Sequence, residues 1–193
     1  PQFRFDVNAE KEDEILVALT QKAGRSTDAP KETIGFTIMK VDENRRYRCH
    51  ELQDIVKNSD FKNSRTIFER MTLPKGRYVL IASTFEPGKT AEFLLRVYTG
   101  NDNDGKLLTK DKPGKGIGNN LCCCFPCCKY PVMVTKVKVI RAVGLERQDV
   151  HGGADPYVLL NCENEKICTP TVKDSTTPEW NTGAIFYRAH ANE

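Results

Sequence analysis

The first hundred residues are dominated by short hydrophobic segments of period two, cut by turn residues. Phe3, Phe5 and Val7 alternate with polar neighbours, which places their side chains on one face of a strand. Ile15-Leu16-Val17-Ala18-Leu19 is a near-continuous apolar run, as expected of a more central strand. Further strands are predicted over 33–39, 66–68, 78–82 and 93–98. Pro74-Lys75-Gly76 and Glu86-Pro87-Gly88-Lys89 read as the turns between them. Short strands at this spacing argue for an all-β fold, an antiparallel β-sandwich. One short helix or helical turn is expected around Glu51–Val56.

The pattern breaks at Gly100. From there to Asn120 Gly, Asn, Asp, Lys and Pro dominate, which is the composition of a linker. Alternation resumes over 132–140, and 157–160 and 185–187 read as further strands. The expected organisation is therefore a β domain over 1–99, a Cys-containing linker over 100–131, and a second β segment over 132–193. With 39% hydrophobic and 28% charged residues among 193, the chain has the balance of a globular protein, not a disordered or membrane-spanning one. No window approaches the ~20 apolar residues of a spanning helix. The start has neither the charged head nor the apolar middle of a secretory signal, and it lacks Met. It reads as the interior of a longer natural chain.

Charge excludes one class of partner. The net +3 is spread thinly, and none of the three segments departs from neutrality by more than two charges. Nucleic-acid binding needs Lys and Arg gathered on one face to displace counterions, so no nucleic-acid partner is expected. Nothing in the chain points to a small-molecule substrate. Of the eight cysteines, five crowd into Cys122, Cys123, Cys124, Cys127 and Cys128. Without a signal segment, the expected setting is a reducing, cytoplasmic compartment with free thiols.

The segment from Gly144 to Val158 carries Asp149 and Asp155 on either side of Gly152-Gly153, between two predicted strands. Calcium wants six to eight oxygens, and aspartates on a flexible loop suit it. An ordinary turn, with Asp155-Pro156 starting the next strand, fits the same residues. The alternating strand, then Ala142-Val143-Gly144-Leu145, Asp149, the glycines and Asp155-Pro156-Tyr157-Val158 resemble the start of a C2 domain. Thr171-Val172-Lys173 and Thr177-Pro178-Glu179-Trp180-Asn181 are similar to that family's next strand and turn. The resemblance implies that Asp149 and Asp155 match first-loop calcium ligands. It also implies that only the first half of an eight-stranded C2 β-sandwich is present, so that calcium binding should be weak.

The first hundred residues resemble calpain domain III. The resemblance rests on Thr72–Lys89 and Glu92–Tyr98 at its end, on Pro1-Gln2-Phe3 at its beginning without the first strand, and on Ile34-Gly35-Phe36 and Asn63-Ser64-Arg65 in the expected order. Domain III followed by a C2 domain is similar to the C2-tailed calpains, the calpain-five type in particular. The family implication is a calcium-dependent intracellular cysteine endopeptidase. Its catalytic Cys, His and Asn would lie in an upstream protease core, the implied partner of these domains. Cys49 and His50 are sequence neighbours, and neighbours on a strand point to opposite faces, so no catalytic residue is assigned.

Asn8-Ala9-Glu10-Lys11-Glu12-Asp13-Glu14 matches the position of the domain III acidic loop. The resemblance gives Glu10, Glu12, Asp13 and Glu14 a role in the response to calcium or phospholipid, or in contact with the core. A solvated hairpin loop explains the same residues. For the cysteine block three readings stay open: reduced thiols, S-acylation beside Leu121, Phe125 and Lys129 at a membrane surface, and a zinc knot. Zinc usually takes two separated ligand pairs, and only Cys124-x-x-Cys127 is one, so no transition-metal site is assigned. Asp102-Asn103-Asp104-Gly105 lacks the first- and twelfth-position ligands of an EF-hand, and Gly114–Gly118 neither follows a buried strand nor opens a helix. The reading is thus a non-catalytic regulatory and targeting fragment, cytoplasmic or peripheral at membrane phospholipid, with calcium as its cofactor. The competing readings are a stand-alone calcium/phospholipid-binding module and a zinc- or redox-responsive adaptor.

Overall fold

The computed structural model describes residues 1–22, 31–114, 131–146, 154–163 and 165–190. The chain divides into two compact units, Pro1–Val41 with Arg46–Asp111, and Asp42–Arg45 with Lys112–Glu193.

In the first unit six strands form one antiparallel sheet: β1 (Gln2–Gln21), β2 (Ile34–Val41), β3 (Asp54–Asn58), β4 (Thr66–Thr84), β5 (Phe93–Tyr98) and β6 (Lys106–Leu108). The order is β3-β2-β4-β1-β5, with β6 also pairing to β1. The two long strands explain how one sheet makes a sandwich. The first half of β1 pairs with the last half of β4, Gln2 opposite Ile81 to Val7 opposite Gly76. The register then slips, and Glu12 opposite Pro74 begins a second ladder running to Thr20 opposite Thr66. A bulge of this kind bends and twists a strand. Phe5, Tyr78, Leu80 and Phe36 from one arm then pack in a single cluster with Ile15, Val17, Leu19 and Ile67 from the other. Tyr78 stacks on Phe5 at 5.6 Å and donates its hydroxyl to the Pro74 carbonyl at 2.7 Å, so the ring is buried with its polar tip satisfied.

The all-β, antiparallel expectation agrees with this structure. Pro74-Lys75-Gly76 is not a turn between strands, because it lies within β4 at the slipped register. The helical turn expected around Glu51–Val56 is also corrected. Asp54–Asn58 is a strand on the edge of β2, where Ile55 faces Met39 and β2 supplies the backbone partners a lone turn lacks. Lys106–Leu108, inside the stretch with linker composition, pairs with Gln2–Arg4 and brings Leu108 into a second cluster with Met39, Val41, Cys49 and Val79.

In the second unit β7 (Met133–Arg141) pairs with β10 (Glu179–Arg188), and β8 (Leu159–Cys162) forms a hairpin with β9 (Glu165–Cys168). Val137, Leu160, Ile167, Ala184 and Phe186 bring the two ribbons together. Within this unit the Asn44 side-chain amide mimics a strand, donating to the Ile185 carbonyl at 2.6 Å and accepting the Ile185 N–H at 2.9 Å. Val132, Val134, Ile140, Val143, Tyr157 and Leu159 are all exposed. Two thin ribbons cannot cover both faces of their own apolar strands.

Candidate functional site

The acidic stretch is the best-defined candidate. It occupies the bulge of β1, not a loop between two strands, because residues 8–11 have only Lys75 of β4 to face between the two ladders. Glu10, Lys11 and Glu12 are exposed there. Asp13 turns back to the fold and accepts the Gly100 N–H at 2.9 Å. A Cβ at position 100 would lie 2.7 Å from the Asp13 carboxylate, so any larger residue there would have to displace that side chain. Glu14 forms a two-pronged pair with Arg70, both bonds at 2.6 Å. The Arg70 hydrogen bond holds the Glu14 carboxyl below its ordinary range, and the same bond raises Arg70.

Other charges clamp the bulge from both sides. Asp6 and Arg77 face each other across the strands with bonds of 2.8 and 2.7 Å. Arg4 reaches Asp104 at 2.5 Å. The Asp104 carboxyl is lowered by its hydrogen bond from Lys106, with Arg4 and Arg77 adding attraction. The Asp6 N–H bonds the Asn103 carbonyl and the Asn8 amide bonds that of Asp102, both at 2.7 Å, so the segment after β5 wraps the bulge. Glu10 and Glu12 are left projecting outward, with no ion pair among the described residues. This arrangement supplies long-range attraction for cations or basic surfaces, not chelation. The basic partners Arg4, Arg70 and Arg77 were not singled out from the sequence. Their pairing depends on cross-strand register, for which no local signal exists.

Asp155 is exposed and accepts the Asp174 N–H at 2.8 Å, with Asp174 in the left-handed region at φ 53°. Backbone bonds from Ser175 to Ala154 and from Val172 to Pro156 tie the same segments together. Its role here is to hold a turn, with no partner for the second carboxylate oxygen among the described residues. Asp149 lies outside the described residues, as do Cys122, Cys123, Cys124, Cys127 and Cys128. Calcium needs six to eight oxygens, and Asp155 alone does not fit it. Among the described residues no three His, Cys, Asp or Glu side chains are grouped to hold a metal ion. Cys49 is buried, its N–H bonding the Gln2 side chain at 2.7 Å, while the His50 ring is exposed and 3.6 Å from Asp111.

Residues 1–98 match the family model for the calpain large subunit, domain III, and residues 133–193 match that of the C2 domain. Over 192 residues the chain is 43% identical to Calpain-5 of Mus musculus and to Calpain-5 of Rattus norvegicus, covering 97% of this chain and 29% of each relative. It is 29% identical over 193 residues to Calpain-5 of Caenorhabditis elegans, covering 98% of this chain and 28% of the relative. The chain thus spans under a third of the length of these relatives. Among the described residues no helix is long and apolar enough to cross a membrane. With both family models matched in succession, the chain belongs to the calpain family, as a domain III followed by a C2 domain.

Proposed function

We propose that this chain is the regulatory and targeting part of a calcium-dependent intracellular cysteine endopeptidase. In this reading residues 1–99 brace the protease core, 100–131 link, and 132–193 contribute the first half of a C2 sandwich. The succession of domain III and C2 matches carries the proposal. The outward Glu10 and Glu12 would attract a basic surface of the core, and calcium would weaken that contact by screening it. Asp13 and Glu14 position the acidic stretch through Gly100 and Arg70. Calcium binding at Asp149 and Asp155 would be weak, millimolar or beyond, because few ligands are offered. Acylation at Cys122, Cys123, Cys124, Cys127 or Cys128 would hold a cytoplasmic protein at a membrane surface, with phospholipid as a further partner.

The test is binding of this chain to a separately expressed protease core from the mouse relative. Association that weakens as calcium rises, and weakens without calcium in the double variant Glu10→Gln, Glu12→Gln, is expected. Equal affinity of wild type and variant would sink the acidic-stretch role. The chain alone should not cleave casein at any calcium concentration, and cleavage abolished by Cys49→Ala would overturn the non-catalytic reading.

A further inference from the structure

The segment that follows β5 is gathered around one hydroxyl. Thr99 Oγ1 donates to the Asn101 carbonyl at 2.6 Å and accepts from the Asn103 side-chain amide at 3.1 Å. The turn so formed is fastened to the acidic stretch of β1. The Gly100 N–H meets the Asp13 carboxylate at 2.9 Å, and the Asp102 and Asn103 carbonyls accept from the Asn8 side chain and the Asp6 N–H, both at 2.7 Å. Thr99 thus ties a strap that keeps Asp13 against the fold while Glu10 and Glu12 project.

That hydroxyl sits where another protein can reach it. Tyr98 opposite Leu16 is the last rung of β5, so Thr99 and the exposed Gly100, Asn101 and Asp102 lie beyond the ladder. Segments held by a few exposed bonds open locally at low cost. Arg96 alternates along β5 with the core-packed Leu95 and Val97, and its side chain is exposed. An arginine three residues before an acceptor hydroxyl is a charge pattern read by protein kinases with acidic docking subsites. Of all the Ser and Thr residues in the chain, Thr99 alone has an arginine at that spacing.

We propose that Thr99 is a phosphorylation site for a basophilic serine/threonine protein kinase, and that its phosphate releases the strap from Asp13. In the transfer Thr99 Oγ1 attacks the γ-phosphorus of ATP. The new O–P bond forms as the bond to ADP breaks, and the hydroxyl proton passes to a carboxylate of the kinase. The product has lost the proton with which Oγ1 reached the Asn101 carbonyl, and it sets phosphate oxygens against that carbonyl. It also places a charge of about −1.5 to −2 one residue from the amide that holds the Asp13 carboxylate, a like-charge placement that disrupts. Both effects fall on the strap and not on the core, because Thr99 lies outside the clusters of buried residues. Freed from Gly100, Asp13 joins Glu10 and Glu12 as a third outward carboxylate. Only this last consequence rests on the proposed attraction of the acidic stretch for a basic surface; phosphorylation and strap release are measured on this chain alone.

The full 193-residue chain is incubated with ATP, magnesium and the catalytic subunit of cyclic-AMP-dependent protein kinase, and the modified residue is located by fragment-ion mass spectrometry. The expected result is phosphate on Thr99, at a rate lowered about ten-fold or more in Arg96→Ala, the effect of losing one charge-assisted contact to the kinase. Should Arg96→Ala lose its β circular dichroism, Arg96→Gln replaces it. Exchange of the Gly100 amide, followed by NMR, should quicken about ten-fold on phosphorylation, as one net hydrogen bond is lost. Asp13→Asn keeps an acceptor for that amide but removes the like charge, so the phosphorylated variant should retain most of its Gly100 protection. Thr99 left unmodified, or modified at a rate indifferent to Arg96, overturns the site. A Gly100 amide unchanged in the phosphorylated chain, or released equally in Asp13→Asn, overturns the strap release.

Discussion

Removing the carboxylate of Asp6 should destabilise the first unit by about 2–3 kcal/mol. The magnitude follows from where the pair sits. Asp6 and Arg77 are directly opposite in the ladder, and their side chains are 15% and 18% exposed. Exposed ion pairs contribute about 0–1 kcal/mol, while breaking a buried one costs about 3–5 kcal/mol, because the remaining charge stays desolvated. A pair at this depth with two good bonds falls between those limits. It is also the last but one rung before the slip at Val7, so its loss loosens the bend between the arms. The assay is a double-mutant cycle of Asp6→Ala and Arg77→Ala in urea, followed by far-UV circular dichroism and by exchange of the Phe5 and Tyr78 amides. The only tryptophan, Trp180, lies in the second unit, so its fluorescence serves as an internal control. A coupling of about 1.5 kcal/mol or more is expected, since directly contacting residues are non-additive. A coupling below about 0.5 kcal/mol would refute the claim that this pair holds the register.

Three further outcomes follow from the same structure. The Glu14 carboxyl should titrate below its ordinary value in the folded chain and return to it in Arg70→Ala, as read by NMR; because folding lowers this pKa, the stabilisation it gives is complete above the unfolded value and disappears as pH falls through the folded one, and an unchanged titration would reject the pair. Tyr78→Phe should cost about 1 kcal/mol in urea unfolding, for the lost bond to the Pro74 carbonyl, without altering the packing of the ring; a neutral effect would mean water replaces that bond freely. Ile140→Thr, at a position 56% exposed, should reduce binding of the dye ANS while changing stability by less than about 0.5 kcal/mol, and a larger loss would show that Ile140 is covered in solution.

Fold class and family were legible from local pattern. From the alternation at 3–7 and the apolar run at 15–19, Phe5, Val7, Ile15, Val17 and Leu19 become core residues of β1 while Leu16 is exposed, and 34–39, 78–82 and 93–98 fall within β2, β4 and β5. A period of two survives in sequence because a strand shows its two faces alternately, whatever its partner. The partner itself is not written locally. That β1 and β4 run unbroken through the acidic stretch and through Pro74-Lys75-Gly76, that Asp54–Asn58 becomes a strand, and that Lys106–Leu108 leaves the linker to pair with Gln2–Arg4 all depend on backbone groups distant in sequence. The candidate site divides the same way. Its acidic character is plain in Glu10, Glu12, Asp13 and Glu14, but only the register decides which of them are satisfied. Glu14 meets Arg70 and Asp13 meets Gly100, while Glu10 and Glu12 are left at the bulge. Composition sets which charges a chain carries, and tertiary pairing sets which of them remain available to a partner.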